Sequence, residues 1–130
     1  MEAAQRFLEA KERSTVGSEG WAEATAWAFS MLTTQVCDEV AKPEWWNDEG
    51  LKALSARVLR AAPNDEAANK MRALVLCAVS RAWEVGPRSV AEIMEAATYF
   101  ERAAALCLAP AGKAHFAGAA AQCRSSVEVR

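Results

Sequence analysis

The sequence predicts an all-α fold: one helical domain over residues 1–130, with about six helices as three antiparallel hairpins, in a stack or a compact bundle. Three observations carry this. Alanine abounds while glycine and proline number only 6 and 4 among 130 residues, and β-branched residues are sparse, a balance that favours helix. Apolar residues recur at helical spacing between short breaker clusters. A near-repeat, Val58-Leu59-Arg60-Ala61-Ala62-Pro63, returns as Ala105-Leu106-Cys107-Leu108-Ala109-Pro110. Each copy closes an apolar helix with a proline, and each proline is followed ten residues later by an alanine, Ala73 or Ala120.

In chain order, a helix over roughly 2–13 has Ala3, Ala4, Phe7, Leu8 and Ala10 on its apolar side. The stretch from Ser14 to Gly20 is a loop by composition. A helix over roughly 20–41 follows, with Ser18 or Glu19 near its cap and Pro43 as its stop, because proline disfavours helical geometry in the residue before it. Its buried side is Trp21, Thr25, Ala28, Phe29, Leu32, Val36 and Val40. After a turn at 43–48, Asn47 or Asp48 caps a helix over roughly 48–62.

Pro63-Asn64-Asp65-Glu66 stops one helix and starts another, with Asn64 as the candidate cap and two acids complementing the positive helix end. The helix over roughly 65–85 has an apolar arc of roughly 200°, wider than a surface helix needs, which makes it the central element packed on two sides. Gly86-Pro87-Arg88 breaks it, and Ser89 with Glu92 forms a capping box for a helix over roughly 90–108. The inner stripe there is Ile93, Ala96, Ala97, Phe100, Ala103, Ala104 and Cys107. A last helix over roughly 112–127 repeats the design with Phe116, Ala120, Cys123 and Val127. Links this short force neighbouring helices to run antiparallel.

Composition bounds the function. An apolar share of 52% with 25% charged residues places the chain among globular proteins rather than disordered ones. Net charge is −2 with both signs interspersed and no dense basic cluster, so the electrostatic footprint of nucleic-acid binding is missing. The longest apolar runs, Leu74–Val79 and Ala103–Ala109, fall far short of the ~20 residues that span a bilayer. Met1–Arg13 carries Glu2, Glu9 and Glu12 and reads as neither a signal nor a transit peptide. A soluble, intracellular and cytoplasmic protein is the expectation, with an organelle as the alternative compartment.

Cys37, Cys77, Cys107 and Cys123 never form a C-x-x-C pair and each lies in an apolar helical stretch, so reduced core thiols are expected ahead of disulfides or a metal site. The single histidine, His115, lies opposite the Phe116/Cys123 stripe and reads as solvent-facing. No serine–histidine–acid arrangement, phosphate loop or zinc spacing emerges, so no catalytic residue, cofactor or metal is assigned. Arg72 falls inside the apolar arc of its helix, and Glu101 falls among Val90, Met94 and Leu108 on the next. Counted from the turn at Pro87 the two are level, which predicts an ion pair; the simpler outcome is that each snorkels to water.

Trp27 and Met31 lie one turn apart among Glu23, Ser30, Thr34 and Asp38, on the polar side of their helix. Exposed, they would anchor a partner, since aromatics and methionine are enriched at interface cores; alternatively the N-terminal helix or the Trp45-Trp46 segment folds over them. Trp45 and Trp46 cannot both point the same way, so one is expected in the core and the other over a helix end or a partner. Tyr99 and Leu106, on the outer face of the 90–108 helix, form a second candidate patch.

Residues 51–124 resemble the tetratricopeptide-type repeat. The residues that carry the resemblance are Val58-Leu59, Pro63 and Ala73, and again Ala105-Leu106, Pro110 and Ala120. The copies stand 47 residues apart where the family expects about 34. The family's aromatic in the closing helix is replaced by Ser55 and Arg102, while Ala96-x3-Phe100-x2-Ala103 matches it two residues out of frame. The resemblance implies a stack of helical hairpins whose business is to hold other proteins. The whole chain also looks like the uncharacterised alanine-rich helical proteins of unicellular algae, which implies no activity. The expected function is a non-catalytic protein–protein interaction module or small accessory subunit, binding a protein partner through Trp27, Met31, Trp45, Trp46, Tyr99 and Leu106. A small apolar ligand held between helices is the alternative, and an enzyme of unfamiliar type the remote one.

Overall fold

Side-chain caps fix most of the helix starts. The computed structural model describes residues 9, 11–12, 15–34, 44–77 and 83–128. Among them five helices follow in order: α1 (Glu19–Thr34), α2 (Asp48–Ala61), α3 (Glu66–Cys77), α4 (Val90–Leu106) and α5 (Pro110–Glu128). About six were predicted. Of the helix predicted over 2–13, Glu9, Lys11 and Glu12 are helical and the remainder lies outside the described residues. No strand occurs among the described residues.

Gly17 turns the chain into α1 at φ 88°, a left-handed conformation that glycine adopts without steric cost. Ser18 then caps α1, its Oγ accepting the Trp21 amide at 3.1 Å. Asn47 caps α2: its Oδ1 accepts the Gly50 amide at 2.8 Å while its Nδ2 donates to the Glu44 carbonyl at 2.9 Å. Asp65, not Asn64, caps α3, with Oδ2 accepting the Ala68 amide at 2.9 Å. Its carboxylate satisfies a free N–H and opposes the positive helix end. The capping box at α4 is complete, with the Glu92 amide donating to Ser89 Oγ at 3.1 Å and the Ser89 amide to Glu92 Oε1 at 3.0 Å. Pro110 opens α5 two residues earlier than predicted; at the first helical position its missing N–H costs nothing.

The central helix is shorter than its apolar period suggested. α3 is described to Cys77, residues 78–82 lie outside the described set, and Trp83–Ser89, part of which the prediction had placed in the helix, is not helical. Trp83 is nevertheless buried, because its indole is held by the start of α2 rather than by helical neighbours. The stop of α1 expected at Pro43 also falls outside the described residues, α1 being described to Thr34.

Two apolar clusters make the core, and α3 contributes to both. Ala68, Met71 and Val75 join Trp21, Ala22, Phe29, Leu51, Leu54, Val58 and Trp83. Ala73 and Leu76 join Ile93, Ala96, Phe100, Phe116, Ala120 and Cys123. The middle helix is therefore covered on two sides, as its wide apolar arc required. Each large side chain so buried contributes roughly 1.5–3 kcal/mol relative to exposure. Phe100 and Phe116 stack with ring centroids 6.5 Å apart, joining α4 to α5.

Candidate functional site

The aromatic residues proposed to meet a partner divide between core and surface. Trp27 is 45% exposed on α1, and Met31 one turn later is half-buried. Trp45 and Trp46 precede α2 and both pack against the first cluster, with ring centroids 5.8 Å apart and tilted by 58°. The expectation that only one of them meets the core is corrected by that tilt, which lets adjacent rings enter the same cluster. Trp46 approaches Phe29 at 5.7 Å and Trp83 edge-on at 6.0 Å. Lys11 lies over Trp45 at 5.4 Å and over Trp21 at 5.8 Å, and burial there pushes its amine below the ordinary lysine value. The N-terminal segment thus reaches Trp21 and Trp45.

The second patch also splits. Leu106 is 36% exposed, whereas Tyr99 is half-buried against the second cluster. The Tyr99 hydroxyl donates to Glu95 Oε1 at 3.0 Å, and Arg102 sits 5.6 Å from its ring. Burial and the neighbouring carboxylate push the phenol above its usual value.

Arg72 and Glu101 do not pair. Arg72 turns toward α2 and donates to the Lys52 carbonyl at 2.8 Å and to Ser55 Oγ at 3.0 Å. Glu101 is exposed and pairs with Arg124 of α5 at 2.6 Å. Being level along two helices did not bring them together, because Glu101 lies on the α5 side of α4. The residues around it on that flank are also solvent-facing: Val90 is 49% exposed and Met94 39%. Leu108, just beyond the helix, is 96% exposed. At 100° per residue Tyr99 and Leu106 fall on the opposite flank from Val90 and Met94.

The sequence reading missed one polar cluster entirely. Asp48 Oδ1 accepts the Trp83 indole N–H at 3.1 Å and an Arg88 nitrogen at 2.5 Å. Its Oδ2 accepts the Gly86 amide at 3.1 Å and a second Arg88 nitrogen at 2.9 Å. Arg88, whose side chain is 3% exposed, also donates to the Val75 carbonyl from Nε at 3.2 Å. The bidentate guanidinium holds the Asp48 carboxyl well below the usual carboxylate range. Both carboxylate oxygens are saturated by protein donors, so the cluster ties α2, the 83–89 segment and α3 together and leaves no lone pair aimed at a substrate. The only sequence signals for it were a tryptophan and an arginine flanking a Gly-Pro break, which name no partner 40 positions away.

A cleft of about 320 Å³ opens where α3, α4 and α5 meet, lined by Cys77, Ile93, Phe100, Ala119, Gln122, Cys123 and Ser126. Cys107 and Cys123 are buried within the second cluster, Cys77 is half-buried against it, and Cys37 lies outside the described residues. His115 is exposed, with its ring 5.5 Å from that of Phe116. Among the described residues no three histidine, cysteine or acidic side chains group to hold a metal, and no helix is long and apolar enough to cross a membrane. Comparison of the chain with models of protein families, with curated proteins and with solved structures finds no match.

Proposed function

We propose that this protein is a non-catalytic interaction module, a small accessory subunit whose helices follow one another as tetratricopeptide-like hairpins and whose exposed apolar side chains dock a protein partner. The observation that carries this is the set of large apolar residues facing water along α4 and its exit: Val90, Met94, Leu106 and Leu108. Single exposed leucines are ordinary, but Val90 with Met94 on one flank of α4, and Leu106 with Leu108 at its exit, expose apolar surface that association would remove from water. Trp27, at 45% exposure on α1, is a separate aromatic anchor of the kind that dominates binding energy.

Affinity purification from the native cell tests this when wild type is compared with the Leu106→Asp/Leu108→Asp double variant and with Trp27→Ala. The expected outcome is a stoichiometric partner retained by wild type and bound at least ~10-fold more weakly by the variants, with the melting midpoint unchanged. Binding indifferent to all three positions would remove the proposal. The α3–α4–α5 cleft favours a second reading, a small apolar ligand resting on Ile93, Phe100 and Ala119. Native mass spectrometry of the purified protein showing a retained small molecule, lost on Phe100→Ala, would move the assignment there.

A further inference from the structure

The cleft brings two thiols from distant parts of the sequence into one small space. Cys77 is the last described residue of α3 and Cys123 lies near the end of the described α5, and both line the cleft together with Ile93 and Phe100 of α4. Cys123 is buried within the second cluster, and Cys77 packs against that same cluster while remaining half-buried. The Cys77 thiol donates to the Leu74 carbonyl at 3.6 Å, within its own helix. Cys107, the other described cysteine, approaches the Ala109 carbonyl at 3.7 Å and does not line this cleft.

We propose that Cys77 and Cys123 form a dithiol–disulfide site, oxidised by small-molecule disulfides of the glutathione type, and that the bridge closes the α3–α4–α5 cleft. The chemistry is two successive exchanges. The Cys77 thiolate, the more accessible of the two, attacks one sulfur of oxidised glutathione; a Cys77–glutathione bond forms and one glutathione thiolate leaves. The Cys123 thiolate then attacks Cys77 Sγ, forming the protein disulfide and expelling the second glutathione thiolate. Two electrons pass from the cysteine pair to the glutathione disulfide, and the two cysteine protons end on the two glutathiones. Burial raises the Cys123 thiol above its ordinary value, while its neighbours Cys77 and Arg124 pull the other way. Cys123 is buried where Cys77 is half-buried, so Cys123 serves as the resolving thiol and not the first attacker.

Bridging would fasten the end of α3 to α5 over the face of α4. The inference is independent of the interaction reading, which concerns the opposite, solvent-facing side chains of α4. Its test is incubation of the full chain with a few equivalents of oxidised glutathione, followed by intact mass and peptide mapping. Wild type is expected to lose the mass of two hydrogens, with peptides containing Cys77 and Cys123 linked. Cys123→Ser is expected to stall as a stable mixed disulfide carrying one glutathione on Cys77. Linkage through Cys37 or Cys107, a mixed disulfide that persists in wild type, or no reaction at all would each overturn the assignment. The wild-type map decides the matter even if the serine variant fails to fold.

Discussion

Asp48 gathers polar partners that lie 35 to 40 positions further along the chain. Its carboxylate gathers Trp83, Gly86 and Arg88, and removing it would leave an arginine whose side chain is 3% exposed without its counter-charge. Asp48→Ala is expected to cost about 2 kcal/mol in urea unfolding, below the 3–5 of a fully buried pair because Asp48 keeps 19% exposure. The pairing also makes stability depend on acid. Since the folded carboxyl lies below its unfolded value, the unfolded chain binds the proton first as pH falls. The pair's contribution is complete above about pH 4 and fades as the pH drops toward the folded value. Wild type should therefore lose more stability than Asp48→Asn between pH 6 and about pH 3; equal losses would show that the pair does not couple to folding. Gly50 makes the second test at this scale. Helix propensity alone favours alanine there by about 1 kcal/mol, yet a Cβ would collide with the Trp45 carbonyl oxygen. Gly50→Ala is expected to lower the melting midpoint and to disturb the near-ultraviolet dichroism of the tryptophans. A raised midpoint would mean that the Trp45 backbone yields freely.

Elements show how far local pattern reaches. The capping box at Ser89 and Glu92 is a purely local device, readable from four residues, and the structure forms it with both hydrogen bonds. Ser89→Ala is expected to destabilise by about 1 kcal/mol through the lost cap, measured by chemical unfolding, and no change would show that water replaces the hydroxyl. The inner stripes of α4 and α5 were equally legible, since Ile93, Phe100, Phe116 and Ala120 recur at helical period and are buried. The end of α3 was not. Trp83 and Val85 continue the apolar period past Cys77, but period reports burial and not backbone conformation, and Trp83 is buried from a non-helical segment. The cap of α3 fell on Asp65 rather than Asn64 for a related reason. Both residues are good caps, and only the geometry of the turn after Pro63 chooses between them.

Across the whole molecule, stability is unevenly spread. α2 packs into the first cluster with Trp21, Phe29 and Trp83 and α3 contributes to both clusters, whereas of the described side chains of α5 only Phe116, Ala120 and Cys123 are buried. Few buried contacts make a segment open at low free energy. Amide hydrogen exchange is accordingly expected to be slowest in α2 and α3 and at least ~10-fold faster in α5. Uniform protection would show that the two clusters unfold as one unit.

Local physics settled the helices. Alanine-rich stretches, caps and apolar period act within a few residues of each other, so the all-α class, the starts of α2 and α4 and the two-sided burial of the middle helix could be read from the chain. Which charged groups meet could not. Arg72 found Ser55 instead of Glu101, and Asp48 found Arg88, because the partner of a long side chain depends on the rotation of one helix against another. The same holds for the exposure of Val90, Met94 and Leu108 and for the meeting of Cys77 with Cys123 in one cleft. Helical period says which residues share a face, and only packing says whether that face meets protein or water.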